Sequence, residues 1–125
     1  MESVGISGIR QIAIIVKDLD RARAFYRDTL GLQHLFDVPK MSFFDVGGVR
    51  LLLGPAEKPE FDHPASLMYY LVKDIKSSHE TLVGKGVQVE GEPHLVAPMP
   101  DHDLWLSFYK DSEGNHFGLM CEMRR

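Results

Sequence analysis

Two stretches of the chain repeat one order of apolar and polar positions. Over 9–32, and again over 66–87, an apolar run is followed by Val-Lys-Asp, by apolar residues at helical spacing, and by a glycine. Asp18 and Asp74 are suited to cap a helix, because a carboxylate there accepts the free N–H groups of the first helical turn. A repeat of this kind indicates two related structural units.

The apolar spacing behind each cap predicts a helix. The two predicted helices lie near 19–30 and 75–83, and Gly31 and Gly84 are placed to end them in a left-handed conformation. One helical stripe gathers the apolar residues of the first predicted helix, namely Leu19, Ala22, Phe25, Tyr26 and Leu30.

Behind each predicted helix, short apolar segments alternate with turn residues. A hairpin is predicted through Gly47-Gly48, and the Asp-Ser-Glu-Gly-Asn turn at 111–115 precedes the last predicted strand. The stretch 55–65 holds three prolines and mixed charge, which is typical of a linker. The predicted order is therefore β-α-β-β-β, linker, β-α-β-β-β, an α+β fold.

This order predicts a single domain over 1–125 built from two tandem βαβββ modules. Module one covers about 7–54, the linker about 55–65, and module two about 66–123. Helices should cover one face of each curved sheet. The helix-free faces, turned together, should form a concave and mostly apolar cup, which is the usual composition of a small-molecule site.

Strand parity assigns side chains to these faces, because alternate residues of a strand point to opposite sides. The positions expected to pack against helices are Ile12, Ile14, Val16, Leu51, Leu53, Phe117, Leu119 and Cys121. Those expected on the helix-free side are Gln11, Ala13, Ile15, Arg50, Leu52, Leu67, Tyr69, Leu71, His116, Gly118, Met120 and Glu122.

Composition and charge narrow the class of protein. Hydrophobic residues make up 44% and charged residues 26% of the chain, as in globular domains. The formal net charge of −4 and the lack of a basic run argue against nucleic-acid binding. The single cysteine, Cys121, and the absence of a long apolar run lead us to expect a cytoplasmic protein without a membrane partner.

The paired modules, the Val-x-Asp openings and the 111–115 turn resemble the vicinal oxygen chelate superfamily of glyoxalases, bleomycin-resistance proteins and extradiol dioxygenases. The resemblance covers nearly the whole chain. Metal-dependent members carry up to four ligands on the concave face, and the resemblance places these positions at Gln11, Leu52, Leu67 and Gly118. Only Gln11 has a donor atom, and a divalent metal needs several that converge. The resemblance therefore implies that the metal site is lost and that no cofactor is bound.

Without a metal, Gln11, Leu52, Leu67 and Gly118 remain candidates for contact with a small molecule, and so do several other positions. Arg50 could pair with an anionic ligand, or it could be a solvated hairpin residue. Tyr69 could form a wall of the cup or pack in the core. Phe108 and His116 flank the last hairpin, and the resemblance favours His116 as a ligand contact. Gln11 is a relic metal ligand, a ligand-contacting amide or a satisfied polar residue.

The sequence leaves catalysis open. His102 lies between Asp101 and Asp103, which favour its cationic form, so it is a candidate acid, base or metal donor, and His116 is a second candidate. The favoured interpretation is a protein that binds a small apolar or aromatic molecule in its cup without a metal, with a homodimer expected. The alternatives are a lyase, isomerase or dioxygenase of the same superfamily, or a non-catalytic dimeric module.

Overall fold

The computed structural model describes residues 3–124. Their regular elements follow the chain as β1 (Gln11–Ile15), α1 (Leu19–Ala24), β2 (Gln33–Val38), β3 (Met41–Val46), β4 (Val49–Gly54), β5 (Met68–Leu71), α2 (Ile75–Gly84), β6 (Gln88–Pro98), β7 (His102–Lys110) and β8 (His116–Arg124). A short 3₁₀ turn, Pro59–Phe61, lies in the segment between β4 and β5. No helix in this part of the chain is long and apolar enough to cross a membrane.

The strands form two four-stranded sheets of the same topology. The first has the order β1-β4-β3-β2 and the second β5-β8-β7-β6. In each sheet the first and last strands of the module are parallel, and the other neighbours are antiparallel. Two βαβββ modules of an α+β fold were predicted from the sequence, and this prediction is confirmed.

Both helices begin where the sequence indicates. The carboxylate of Asp18 accepts a hydrogen bond from the Arg21 amide at 3.1 Å, and that of Asp74 accepts one from the Ser77 amide at 3.2 Å. The helix ends are less regular. Gly31 has the expected left-handed backbone with φ of 73°. Gly84, however, is the last residue of α2, and Gly86 adopts the left-handed conformation instead, so the helix ends near the predicted position but the predicted left-handed residue is wrong.

The first helix does not stay α-helical. After Ala24 it continues as a π-helical turn, Phe25–Thr29, in which the amide of Leu30 donates to the carbonyl of Phe25 at 2.9 Å. A π turn inserts one residue and so rotates the side chains that follow it. Tyr26 packs in the first core, while Phe25 packs in the second, because adjacent residues of a helix point in directions about 100° apart. The single apolar stripe expected from the sequence is divided between two cores.

One buried cluster lies under each sheet. The first core comprises Ile14, Val16, Ala22, Tyr26, Phe44, Leu51 and Leu53. The second comprises Phe25, Ile75, Leu82, Tyr109, Phe117, Leu119 and Cys121. These sets include the strand positions assigned to the helix side by parity, except the partly buried Ile12, which packs against the first core.

The modules are joined by a buried polar contact. The hydroxyl of Tyr26 donates to the Asp111 carboxylate at 2.6 Å, across 85 positions of sequence. The same carboxylate accepts from the amides of Glu113 at 2.8 Å and Asn115 at 2.9 Å, which shapes the turn before β8. Burial, and then the Asp111 charge, raise the pKa of Tyr26 well above its ordinary value. The turn therefore anchors the first helix to the second module.

The helix sides of the two sheets adjoin each other within the chain. A cavity of about 200 Å³ between the modules is lined by Ile12 and Leu51 from the first sheet and by Met68 and Tyr70 from the second, all on the helix side by parity. The opposite faces of both sheets consequently lie on the outside of the chain. The two sheets do not close on each other, and each presents one half of a concave surface.

Candidate functional site

The first open face is the helix-free side of the β1–β4 sheet. Strand register places two rows of side chains there. One row contains Gln11, Arg50 and Asp45, and the other contains Ala13, Leu52, Phe43 and Phe36. Phe36 faces Phe43 because β2 carries a register shift between His34 and Phe36. Their rings are stacked, with centroids 4.6 Å apart.

Gln11 and Arg50, both predicted from the sequence, are joined on this face. The Nε of Arg50 donates to the Oε1 of Gln11 at 2.9 Å. The guanidinium carbon of Arg50 also lies 5.9 Å from the centre of the Phe43 ring, within the range of a cation–π contact. The amide oxygen of Gln11 is thus already used as an acceptor for a cationic side chain.

The second open face is the helix-free side of the β5–β8 sheet. Its central row contains Tyr69, Gly118, Phe108 and Gly91. Tyr69 and Phe108 meet edge to face, with centroids 6.0 Å apart. Tyr69 is 46% exposed, so this aromatic pair is available at the surface of the chain.

Gly118 makes room for that aromatic pair. A Cβ placed on Gly118 would lie 2.9 Å from Cδ1 of Tyr69 and 3.3 Å from Cε1 of Phe108. Gly91 likewise leaves space for Phe108, since a Cβ on Gly91 would lie 3.3 Å from the Phe108 ring. The φ angle of Gly118 is not in the left-handed region, so this glycine is explained by the neighbouring rings and not by the backbone.

His116 lies at one end of the second open face. Its Nε2 is 3.2 Å from a carboxylate oxygen of Glu90, and the Lys110 ammonium lies 3.9 Å from the same oxygen. The amide of Gln88 binds the other oxygen at 3.0 Å. These contacts, led by the Gln88 hydrogen bond, lower the pKa of Glu90. His116 is exposed, and Leu67 lies just before β5 with its side chain also exposed.

His102 lies far from His116. On β7 it pairs with Arg124, whereas His116 pairs with Lys110 eight residues further along, or roughly 26 Å at strand spacing. The Nδ1 of His102 is 2.7 Å from Asp101, and its Nε2 is 3.6 Å from Glu122. Hydrogen bonds from His102 and then from Arg124 lower the pKa of Asp101. The two candidate histidines are not brought together within one chain.

The four positions that the resemblance assigns to metal ligands offer a single donor atom. It is the Gln11 amide oxygen, and a guanidinium group lies against it. Leu52 and Leu67 have no donor, and the Tyr69 ring covers Gly118. Elsewhere in residues 3–124, no group of three or more His, Cys, Asp or Glu side chains could hold a metal ion. These positions do not fit a divalent metal, which requires several converging N, O or S donors.

Several members of the open faces were missed from the sequence, chiefly Phe36, Phe43, Asp45, Glu90 and Gly91. Asp45 and Phe43, the cross-strand partners of Arg50 and Leu52, could have been predicted from the sequence, because a two-residue turn at Gly47-Gly48 fixes the pairing of β3 with β4. Phe36 and Glu90 lie at register shifts, where strand parity changes without a clear sequence signal.

Comparison with known proteins agrees with this architecture. The model of the Glyoxalase/Bleomycin resistance protein/Dioxygenase superfamily matches residues 8–117. A crystal structure of a member of that superfamily from Sphaerobacter thermophilus DSM 20745 is 27% identical in sequence, with a TM-score of 0.74, and the match covers 94% of this chain and 98% of that one.

Two further solved structures are similar in fold. TnmS3, an antibiotic binding protein from Streptomyces sp. CB03234, has a TM-score of 0.74 at 23% identity, covering 98% of this chain and all of that one. Lactoylglutathione lyase from Agrobacterium tumefaciens has a TM-score of 0.71 at 22% identity, covering 92% and 93%. At these identities the likeness concerns the fold alone. Through the match over residues 8–117, the chain belongs to the Glyoxalase/Bleomycin resistance protein/Dioxygenase superfamily.

Proposed function

We propose that this protein binds a small apolar or aromatic molecule on its open faces without the help of a metal. The observation that carries the proposal is the aromatic pair on each open face, Phe36 with Phe43 and Tyr69 with Phe108. Rings presented in this way offer large contact areas at little cost in conformational entropy. The antibiotic binding protein TnmS3 is an example of ligand binding on this fold.

We propose further that two copies of the chain complete each cup. Among residues 3–124, no hydrogen bond, ion pair or ring contact joins the first open face to the second. Each face holds exposed apolar side chains, including Phe36 at 45% and Leu71 at 68%. A second copy could place its second open face over the first open face of its partner, with the ligand between them. This arrangement is isologous, as in most homodimers.

A metal has no role in this proposal. The only donor at the four positions is bound to Arg50, and a cation placed there would be repelled by the guanidinium charge. Binding would instead depend on burial of ligand surface between aromatic rings, with polar groups fixing the orientation.

The test uses N-phenyl-1-naphthylamine, a neutral aromatic probe whose fluorescence rises in an apolar site. We expect saturable binding at about one probe per chain, unchanged after dialysis against EDTA. Tyr69→Ala should weaken binding roughly tenfold, because it removes one ring of a wall pair. Phe61→Ala is the matched control, since Phe61 is an exposed ring of the 3₁₀ turn and lies outside both open faces.

Two results would contradict the proposal. One is the absence of saturable probe binding to the wild-type protein. The other is binding that EDTA abolishes and that zinc, nickel, iron or manganese restores, which would favour the enzyme alternative. Elemental analysis of the purified protein accompanies the titration, and we expect no stoichiometric metal.

A further inference from the structure

Arg50 is held in place on the first open face before any ligand arrives. Its Nε donates to the Gln11 amide oxygen at 2.9 Å, and its guanidinium carbon lies 5.9 Å from the centre of the Phe43 ring. The side chain is only partly exposed. Because Gln11 and Phe43 already restrict the guanidinium, little rotational freedom remains to be lost when another group binds it.

The outer edge of this guanidinium is unpaired within the described chain. No carboxylate of residues 3–124 forms an ion pair with Arg50, and its two terminal NH₂ groups make no hydrogen bond there. Asp45 is the cross-strand neighbour of Arg50 in the same row, but the two charges are not within ion-pair distance. In the free protein, water can satisfy these donors.

Covering the first open face would remove the water that hydrates the terminal NH₂ groups of Arg50. When a ligand and a second chain exclude water, an unpaired guanidinium becomes costly, because a buried charge without an acceptor loses its hydration. An oxyanion on the ligand would restore two charge-assisted hydrogen bonds to the planar fork. The carboxylates of the second open face are already engaged, Glu90 by Gln88, His116 and Lys110, and Glu122 by His102, whose Nε2 lies 3.6 Å away, so they oppose an anion less strongly than free carboxylates would.

We propose that the ligand is a planar aromatic molecule that carries a carboxylate or a similar oxyanion. Its ring would lie against the Phe36–Phe43 pair, and its oxyanion would bind the terminal NH₂ groups of Arg50. Gln11 is a positioning residue, which orients the guanidinium without touching the ligand. The inference rests on the proposed binding function and adds the charge of the ligand to it.

Three probes of one shape and different charge test this inference: 2-naphthoate, 2-naphthamide and 2-naphthylmethylammonium. Dissociation constants are measured by calorimetry on the full-length protein. We expect the naphthoate to bind at least about tenfold more tightly than the amide, and the ammonium probe to bind most weakly. Arg50→Gln should remove most of this preference, because the affinity for the naphthoate falls more than the affinity for the amide. Arg50→Lys keeps the charge without the fork and should retain only part of the preference.

The control is Arg27→Gln, which removes the same charge from an exposed arginine paired with Asp28 on the first helix. Equal binding of naphthoate and amide by the wild-type protein, or tighter binding of the ammonium probe, would overturn the inference, the latter pointing to Asp45 instead. If N-phenyl-1-naphthylamine still binds, either result would contradict only the inferred charge of the ligand and would not contradict the proposed binding function.

If neither the neutral probe nor any of the three naphthyl probes binds, both the proposed binding function and the inferred charge of the ligand are rejected. The wild-type comparison decides the question even where a variant fails to fold.

Discussion

At the scale of single residues, Gly118 shows how neighbouring rings can occupy the space of a side chain that a glycine lacks. The Tyr69 ring lies over it and the Phe108 ring borders it, so the two rings occupy the space that a larger residue would need. A glycine within a strand destabilises the sheet less when an aromatic ring from a neighbouring strand covers it, because the ring buries the backbone that the glycine leaves exposed. The glycine at a position that the resemblance assigns to a metal ligand thus makes room for the Tyr69–Phe108 pair.

Gly118→Ala should therefore be more destabilising while Tyr69 is present, although Phe108, at 3.3 Å from the new Cβ, remains in both backgrounds. The new Cβ would lie 2.9 Å from Tyr69 Cδ1, so the ring must move, at a cost of about 1–3 kcal/mol in unfolding free energy. In a Tyr69→Ala background the same change should cost much less. Denaturant unfolding of the two single variants, the double variant and the wild type measures this coupling.

Gly84→Ala is the control, because no atom lies within 4 Å of its Cβ position and the helix favours alanine. It should stabilise the protein by about 0.5–1 kcal/mol. An equal cost of Gly118→Ala in both backgrounds would show that the glycine is not explained by the tyrosine ring.

At the scale of elements, the first helix belongs to both modules. Tyr26 packs in one core and the adjacent Phe25 in the other, and the Tyr26 hydroxyl donates to Asp111 beside the last strand. The Lys85 ammonium at the end of α2 also binds the carbonyls of Asp28 and Thr29, at 3.0 Å each. These contacts tie the end of the first helix to the second module.

Tyr26→Phe isolates the buried hydrogen bond. We expect a loss of about 1.5–3 kcal/mol in unfolding free energy near neutral pH, because the acceptor is a carboxylate. The folded pKa of Tyr26 is raised, whereas an unfolded tyrosine titrates near 10. Above pH 10 the unfolded state therefore releases a proton that the folded state keeps, and this lowers stability.

The difference in unfolding free energy between the wild type and Tyr26→Phe should accordingly be constant below pH 10. Above pH 10 it should decrease by up to about 1.4 kcal/mol per pH unit. Urea unfolding of both proteins between pH 8 and 11 provides the measurement, and the difference between them cancels the titration of other groups. A difference that does not change with pH would contradict a buried, protonated Tyr26.

Local signals in the sequence predicted the elements well, and contacts between distant parts of the chain less well. The caps at Asp18 and Asp74 and the hairpin at Gly47-Gly48 depend on neighbouring residues, and all three are confirmed. The left-handed residue after α2 was predicted at Gly84 and lies at Gly86, because a second glycine, two residues later, can adopt the same conformation.

The division of Phe25 and Tyr26 between two cores could not be predicted. It depends on packing of Phe25 against strands some 90 residues away, which no local pattern in the sequence indicates. The candidate residues Gln11 and Arg50 were assigned to the correct face by parity. Their direct hydrogen bond required the register of β1 with β4, which a sequence pattern does not fix.

At the scale of the whole molecule, the outward orientation of both open faces leaves apolar surface uncovered. Tyr69 and Leu71 are 46% and 68% exposed on the second face, and Phe36 is 45% exposed on the first. Contiguous apolar surface of this kind is typical of a binding or association surface. The proposed dimer would cover both faces of each chain at once.

Light scattering at micromolar concentration should therefore give twice the mass of one chain. Leu71→Lys places a charge on the second open face and should shift the protein towards the monomer without a large loss of unfolding free energy per chain. Val83→Lys is the control, since Val83 is similarly apolar and exposed but lies on α2. A monomeric wild-type protein, or equal effects of the two lysines, would argue against the proposed dimer.

The outward orientation of the two open faces has a genetic consequence. If each cup combines the first face of one chain with the second face of its partner, a dimer contains two cups, and both chains contribute residues to each cup. A chain damaged at Arg50 and a chain damaged at Tyr69 would then assemble into a dimer with one doubly defective cup and one intact cup. Two inactive alleles could thus complement each other, with up to half of the sites restored in every mixed dimer.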